Sequence, residues 1–175
     1  MPSLPNLLSL SRIAALVPLA ILLATGESWW AAALFVAAAA TDFLDGYLAR
    51  QQGKATAFGA TIDPIADKVL VNGTALLLAG LGGLGVWGTL AAALILVREF
   101  VVSGLREAAG GGALPVTRVA KYKSAAQMAA LTLLIASPGL PPATHGAGVV
   151  LLWVAAAITL WTGAGYVRKA LGAAG

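Results

Sequence analysis

Four aspartates lie close together in an otherwise apolar part of the sequence. Asp42 and Asp45 are three residues apart, and Asp63 and Asp67 are four residues apart. On an α-helix, both spacings place the two side chains on one face. If two such helices pack side by side, four carboxylates meet, and a divalent cation is the usual way to keep them ionised in a low-dielectric setting. The spacing therefore predicts a metal site.

Each aspartate taken alone also has an ordinary structural interpretation. Asp45 could pair with Arg50 or Lys54 near a membrane surface. Asp67 could pair with Lys68 or with a basic residue of a neighbouring helix. Because four of the seven acidic residues occur at helical spacing in one short segment, we favour a functional cluster, as is usual for ionisable groups in apolar helices.

The composition is that of an integral membrane protein. Hydrophobic residues make up 59% of the 175 residues and charged residues only 10%, whereas a soluble domain carries about 25% charged residues. The absence of cysteine excludes disulfides and thiol chemistry. No basic patch interleaved with aromatic residues indicates a nucleic-acid partner. The first apolar run has no basic segment before it, so we predict a retained helix rather than a cleaved signal.

Six apolar segments are long enough to cross a bilayer, which requires about 20 residues each. They lie at roughly residues 8–25, 29–49, 60–81, 86–107, 119–137 and 145–167. Turn-forming residues separate them, and abundant Ala and Gly permit close helix packing. We predict an all-α fold, a single membrane domain over residues 1–175 built as a six-helix bundle.

The basic residues predict the orientation of this bundle, because Lys and Arg collect at cytoplasmic helix ends. Most of them lie near the start of the first span or beside the ends of the second, fourth and sixth: Arg12, Arg50, Lys54, Arg106, Arg118, Lys121, Lys123, Arg168 and Lys169. The opposite connections contain no Lys or Arg. Both termini are therefore predicted to be cytoplasmic, with both carboxylate pairs in the cytoplasmic half of the bilayer.

The helix that carries the second aspartate pair has two possible starts. Asp63 could cap its N-terminus, with Pro64 at the first helical position. Alternatively, Pro64 could interrupt a helix that has already begun near Gly59. The sequence leaves both open.

The aspartate segment resembles the signature of the CDP-alcohol phosphatidyltransferases. All of its fixed positions are matched, by Asp42, Asp45, Gly46, Ala49, Arg50, Gly59, Asp63 and Asp67. The resemblance implies a six-span homodimeric membrane enzyme in which an alcohol hydroxyl displaces CMP from a CDP-linked lipid. It also implies two divalent cations, Mg2+ or Mn2+, which suit carboxylate ligands and neutralise the pyrophosphate.

The same resemblance assigns roles to individual residues. Asp42, Asp45 and Asp63 would be the core metal ligands. Asp67 would be the general base for the incoming hydroxyl and would also contact metal. The predicted residues for binding the CDP-lipid are Asn6, Ser9, Gly46, Ala49, Arg50, Thr56 and Gly59. For the N-terminal pair, a polar helix cap followed by an interfacial Arg12 is an equally good interpretation.

A basic cluster in the fourth and fifth spans predicts the class of acceptor. Arg98 and Arg106 share a helix face, and Lys121 and Lys123 begin the fifth span. We interpret Arg98 as reaching into a cavity rather than pairing with Glu99, because adjacent helical residues point in different directions. Arg and Lys bind phosphate well, so these four residues predict a phosphorylated acceptor. Alternatively, the cluster only anchors the cytoplasmic surface.

Three further patterns narrow the resemblance to the bacterial phosphatidylglycerophosphate synthases of this family. They are the paired Arg-Glu steps within residues 98–107, the Lys-x-Lys-Ser-x-x-Gln run within residues 121–128 and the Asp-Pro-x-Ala-Asp-Lys segment at 63–68. The implied reaction joins CDP-diacylglycerol and sn-glycerol 3-phosphate at the inner membrane of a bacterium, with the site facing the cytoplasm. Inositol phosphate, serine and phosphatidylglycerol stay open as acceptors. A cation transporter is the alternative from another class, and it fits poorly because no acidic residue follows Glu107.

Overall fold

The computed structural model describes residues 4–52, 57–108 and 118–172. Within them, side chains are described except at 4–6, 42–52, 57–61, 63, 64, 106, 108, 118–121, 166, 167 and 169–172. The helices are α1 Leu4–Ala14, α2 Leu16–Ala24, α3 Ser28–Gln52, α4 Ala57–Gly80, α5 Gly85–Ala108, α6 Arg118–Ala136 and α7 Pro142–Gly172, with a short 3-10 helix at Ser137–Gly139. These described ranges contain no β-strand, which confirms the all-α prediction.

Each of the six predicted apolar segments coincides with a helical segment, the first with α1 and α2 together. Within the described residues, three stretches are long and apolar enough to cross a bilayer: Leu7–Ala24, Gly85–Leu105 and Pro142–Gly165. Within the described part of α3, the apolar stretch Ser28–Thr41 is shorter than these three. The chain is thus an integral membrane protein, and the crossing of all six segments stays a prediction.

The first predicted span is not one continuous helix. It is divided at Ala15, although the backbone there keeps right-handed helical angles, φ −61° and ψ −21°. Pro18 explains the break, because proline has no N–H to donate to the carbonyl of Ala14 and its ring crowds that oxygen. The helical direction continues through the break, since Leu19 N donates to Ala15 O at 3.0 Å.

Two glycines end helices in the left-handed backbone region. Gly26 has φ +80° after α2, and Gly82 has φ +78° after α4. At the first, Glu27 N donates to Leu22 O at 2.9 Å and Gly26 N to Leu23 O at 3.3 Å, which is a Schellman motif. These glycine turns reverse the chain within a few residues, so α3 runs antiparallel to α2 and α5 runs antiparallel to α4.

The three described turns lie at one end of the bundle. His145 Nε2 lies 3.1 Å from Gly83 O, which joins the start of α7 to the turn between α4 and α5. Gly139 lies against the indole of Trp29 at the start of α3. The C-terminal ends of α3, α5 and α7 therefore meet the N-terminal ends of α1, α4 and α6 at the opposite end, where the predicted site residues occur.

Helix α1 packs against α3 and α4, α3 packs against α6, and α7 packs against both α5 and α6. The interior is filled by aliphatic and aromatic side chains such as Phe35, Leu131 and Leu152. Large apolar side chains also cover the outside, with Val86 81% and Trp161 84% exposed. An apolar exterior of this kind is suited to lipid.

The packing of α7 on α6 depends on a glycine, which gives a test of the fold. A Cβ on Gly148 would lie 2.8 Å from Leu134 Cγ, whereas a Cβ on Gly146 would meet nothing within 4 Å. We expect Gly148→Val to lower the free energy of unfolding by about 1–3 kcal/mol through overpacking. Thermal unfolding of the purified protein in detergent measures the change, with Gly146→Val as the matched control. Equal effects of the two variants would contradict this packing.

Candidate active site

The two aspartate pairs lie on neighbouring helices. Asp42 and Asp45 belong to α3, Asp63 and Asp67 belong to α4, and α3 contacts α4. The helical spacing within each pair is therefore confirmed. The side chains of the first three lie outside the described residues, whereas Asp67 is half-buried. Their joint role in binding metal stays a prediction.

The start of α4 decides the question about Pro64. The helix begins at Ala57 and continues through Pro64 to Gly80. Pro64 therefore lies inside a helix that has already begun, and Asp63 is not its N-cap. Asp63 and Asp67 thus belong to one continuous helix.

The residues predicted to bind the CDP-lipid are distributed over three helices. Asn6 and Ser9 lie on α1, Gly46, Ala49 and Arg50 on α3, and Gly59 on α4, while Thr56 lies outside the described residues. Helix α1 packs against both α3 and α4, so these segments adjoin one another. Of these residues only Ser9 has a described side chain, and the contacts of the others with a lipid stay predictions.

A buried cation lies on α1 where the sequence suggested an interfacial one. Arg12 is 1% exposed and Ser9 is completely buried. Arg12 Nη2 donates to Ser9 Oγ at 3.4 Å. The interpretation of Arg12 as a surface anchor is therefore wrong. A buried cation requires negative or polar partners, and the two helices that α1 packs against, α3 and α4, carry the four aspartates.

A small polar cavity lies between α4, α5 and α6, with a volume of about 20 Å³. Its lining residues are Asp67, Lys68, Val71, Asn72, Glu99, Lys123, Ser124 and Gln127. A water molecule needs a cavity of about 10–15 Å³, so this one accepts a group of roughly the size of a hydroxyl. Asp67, the predicted base, is therefore part of a polar recess formed by three helices.

Glu99 connects the cations around this cavity. Its Oε1 atom accepts from Lys123 Nζ at 2.6 Å and from Arg98 Nη1 at 2.8 Å. The expectation that the adjacent Arg98 and Glu99 would not pair is wrong. An arginine side chain is long enough to turn back toward its neighbour, and the burial of both residues, each 11% exposed in its side chain, favours that pair over separate desolvated charges.

Arg98 is directed toward α7. Its Nη2 atom donates to Thr162 Oγ1 at 2.8 Å. A Cβ on Gly163 would lie 2.9 Å from Arg98 Nε, so the glycine leaves room for the arginine to lie against α7. Arg98 is absent from the described lining of the cavity. The side chains of Arg106 and Lys121, which were predicted together with it, lie outside the described residues.

Five polar residues of the cavity are absent from the site predicted by the sequence: Lys68, Asn72, Glu99, Ser124 and Gln127. Lys68 and Asn72 are four residues apart on α4, and the Lys68 ammonium donates to Ser103 Oγ on α5. Gln127 is 6% exposed on α6. The i,i+4 spacing of Lys68 and Asn72 next to Asp67 was a usable signal, because residues at that spacing share a helix face.

An apolar groove lies between α3 and α6 and has a volume of about 240 Å³. It is lined by Phe35, Val36, Ala39, Ala40, Met128, Ala129 and Thr132. The hydroxyl of Thr132 does not make the groove polar, because Oγ1 donates to Met128 O within its own helix at 2.8 Å. The groove is therefore suited to an apolar ligand.

The groove and the polar site lie along the same helix faces. On α3, Phe35 and Ala39 precede Asp42 at helical spacing (i, i+4, i+7). On α6, Ser124 lines the polar cavity, while Met128 and Thr132, one and two turns further along the same face, line the groove. With a rise of about 1.5 Å per residue, Ala39 lies roughly 4.5 Å along the helix axis from Asp42. Polar and apolar binding surfaces thus adjoin each other.

The sequence is similar to those of known phosphatidyltransferases. The family model for CDP-alcohol phosphatidyltransferases matches residues 2–161. A CDP-diacylglycerol–glycerol-3-phosphate 3-phosphatidyltransferase of Cereibacter sphaeroides is 37% identical over 97% of this chain and 96% of its own length. A protein of the same name from Pseudomonas fluorescens is 42% identical over 96% of this chain and 90% of its own length. A rice protein named cardiolipin synthase (CMP-forming) is 40% identical over 95% of this chain but only 57% of its own length.

Proposed function

The chain belongs to the CDP-alcohol phosphatidyltransferase family, and on that basis we propose that it transfers the phosphatidyl group of CDP-diacylglycerol to sn-glycerol 3-phosphate. The products are phosphatidylglycerol phosphate and CMP. The observation that supports this acceptor most directly is the cavity between α4, α5 and α6, whose lining includes Asp67, Lys68 and Lys123. The names of the relatives from Cereibacter sphaeroides and Pseudomonas fluorescens describe the same reaction.

Asp67 is the general base of the proposed reaction. A free hydroxyl of glycerol 3-phosphate occupies the cavity and gives its proton to the Asp67 carboxylate. Its oxygen then forms a bond to the phosphorus that carries the diacylglycerol, and the bond from that phosphorus to the oxygen of CMP breaks. The position of Asp67 in the cavity lining supports this assignment.

The donor set suits hard divalent cations. Asp42 and Asp45 on α3 and Asp63 on α4 bring carboxylates from two contacting helices to one end of the bundle, and oxygen ligands suit Mg2+ or Mn2+. We assign these three residues, together with Asp67, to two such ions. When bound, the ions neutralise the pyrophosphate and its leaving oxygen. Arg50, two turns after Asp42 on α3, adds positive charge for the same pyrophosphate.

The acceptor phosphate lies at the edge of the cavity, because the cavity itself has only the volume of a hydroxyl. Lys68 and Lys123 line it, and Arg106 and Lys121 extend the positive region along α5 and α6. Arg98 stabilises this region without lining the cavity, because its guanidinium donates to Glu99 and to Thr162 on α7. Lysine and arginine are effective ligands of phosphate, which favours a phosphorylated acceptor over serine.

The donor lipid extends along α3 and α6. Its cytidine nucleotide lies against α1, α3 and α4, at Asn6, Ser9, Gly46, Ala49 and Gly59, with Thr56 nearby in sequence. Its acyl chains lie in the apolar groove between α3 and α6, which adjoins the aspartate end of α3. An amphiphilic donor is thereby aligned with adjoining polar and apolar surfaces.

The topology predicted from the basic residues completes the proposal. All six helical segments cross the inner membrane of a bacterium, both termini are cytoplasmic, and the aspartates face the cytoplasm, where a water-soluble acceptor is available. Residues 1–175 form one domain, and the enzyme acts as a homodimer, as the family resemblance implies.

Phosphatidylglycerol is the second candidate acceptor. The rice relative named cardiolipin synthase is the observation that favours it. The lysines of the cavity favour a phosphate monoester, which carries more negative charge than the phosphodiester of phosphatidylglycerol. Measuring product formation with each acceptor separately distinguishes glycerol 3-phosphate from phosphatidylglycerol.

Purified protein supplied with labelled CDP-diacylglycerol and Mg2+ should release CMP and form a lipid phosphate with glycerol 3-phosphate. Asp67→Asn should reduce turnover by about 10²–10⁴-fold, because the amide cannot take the proton. Glu27→Gln, at the opposite end of the bundle, should retain normal turnover. Product from inositol phosphate or phosphatidylglycerol but not from glycerol 3-phosphate would overturn the acceptor, and near-normal turnover of Asp67→Asn would overturn the assigned base.

Filling the groove should weaken binding of the acyl chains. Ala40→Phe places a ring in the groove, whereas Ala37→Phe places the same ring at an exposed position of α3 outside it. We expect the ring of Ala40→Phe to displace about two acyl-chain methylenes from the groove, at about 0.8 kcal/mol each. The KM for long-chain CDP-diacylglycerol should therefore rise roughly tenfold. The KM for glycerol 3-phosphate should not change. The same KM for long-chain CDP-diacylglycerol in both variants would show that the chains bind elsewhere.

A further inference from the structure

We infer that Glu99 is a positioning residue for the acceptor, which fixes the Lys123 ammonium at the cavity by connecting it to α5 and α7. This inference deepens the proposed function and rests on it, since it requires an acceptor that carries a phosphate. Glu99 belongs neither to the aspartate cluster nor to the cations that the sequence assigned to the acceptor.

The contacts form a continuous path across three helices. Lys123 on α6 donates to Glu99 Oε1 at 2.6 Å, and Arg98 on α5 donates to the same oxygen at 2.8 Å. Arg98 then donates to Thr162 Oγ1 on α7 at 2.8 Å. Thr162 is itself fixed, because its hydroxyl donates to the backbone carbonyl of Ile158 at 2.9 Å. These successive hydrogen bonds connect the Lys123 ammonium to the backbone of α7.

Burial makes this path rigid. The side chain of Glu99 is 11% exposed and that of Lys123 12% exposed, so the pair is not a solvent-screened surface contact. A buried carboxylate is costly without cationic partners, and Glu99 therefore keeps both cations close. A free lysine samples many rotamers, whereas a lysine held in this way is already ordered before the ligand binds.

The charge balance is compatible with phosphate binding. One carboxylate faces two cations, so these three residues together keep a net charge of +1. Lys68 lines the same cavity, where its positive charge balances the negative charge of Asp67, so the total stays at +1. Glu99 therefore sets where the positive charge is placed without removing the attraction for an anionic acceptor.

Arg98 and Lys123 both bind the same oxygen of the Glu99 carboxylate. Within the described residues, every hydrogen bond to this carboxylate involves Oε1. Both cations are thereby held on one side of the carboxylate, at the junction of α5 and α6. Phosphate affinity at this site should depend on the Glu99–Lys123 pair as a unit.

A double-mutant cycle tests this dependence. Glu99→Gln should raise the KM for glycerol 3-phosphate about tenfold, as expected when one charge-assisted hydrogen bond to the acceptor is lost, and should leave the KM for CDP-diacylglycerol unchanged. Glu107→Gln, the same change at an exposed position of α5, is the matched control. Lys123→Met should raise the same KM, and the double variant should be no worse than Lys123→Met alone.

Additive effects in the cycle would overturn the inference, because Glu99 would then act independently of Lys123. An unchanged KM for glycerol 3-phosphate with a lowered melting temperature would also overturn it, since Glu99 would then be only structural. If Glu99→Gln does not fold, Thr162→Val removes the far end of the path, and it should raise the same KM two- to threefold without affecting the KM for CDP-diacylglycerol. An unchanged KM in that variant would count against the path.

These outcomes are distinguishable from failure of the proposed function. Wild-type protein that forms no product with glycerol 3-phosphate would refute the acceptor itself. Wild-type protein that is active, with Glu99→Gln kinetically identical to Glu107→Gln, would refute only the role of Glu99.

Discussion

The structure depends on how an apolar helix bundle accommodates charged side chains. A charge in a low-dielectric interior is costly unless an opposite charge or a polar group lies beside it. The described charges in the bundle satisfy this requirement through contacts between helices. Glu99 on α5 binds Lys123 on α6 and its own neighbour Arg98, which donates to Thr162 on α7. Lys68 on α4 donates to Ser103 on α5. These contacts join α4, α5, α6 and α7 at the end of the bundle opposite the described turns.

This concentration of charge suits the handling of an amphiphilic lipid. The helix faces that carry Asp42 and Ser124 at the polar end become apolar within one or two turns, at Ala39 and Met128. A ligand with a charged head and long apolar chains can therefore lie along α3 and α6, with its head at the polar end and its chains on the apolar surface. The soluble substrate needs only the polar end, where the cavity between α4, α5 and α6 is small.

Helix α7 has a supporting role that its sequence does not suggest. It carries none of the motifs of the family signature, yet its Thr162 and Gly163 hold Arg98 in place. Small residues along it also let it approach α6 closely, as at Gly148. The last helix thus contributes to the site indirectly, through the orientation of residues on α5.

The helical segments, most of their ends and the helical spacing of the aspartate pairs could all be predicted from the sequence. These properties depend on local hydrophobicity, on proline and glycine, and on the fixed geometry of a helix. Tertiary structure alone decided that Arg12 is buried, that Arg98 pairs with Glu99 and contacts α7, and that Asn72 and Gln127 share a cavity with Asp67. Those outcomes depend on how each helix is rotated against its neighbours, and many rotations are compatible with helices rich in alanine and glycine.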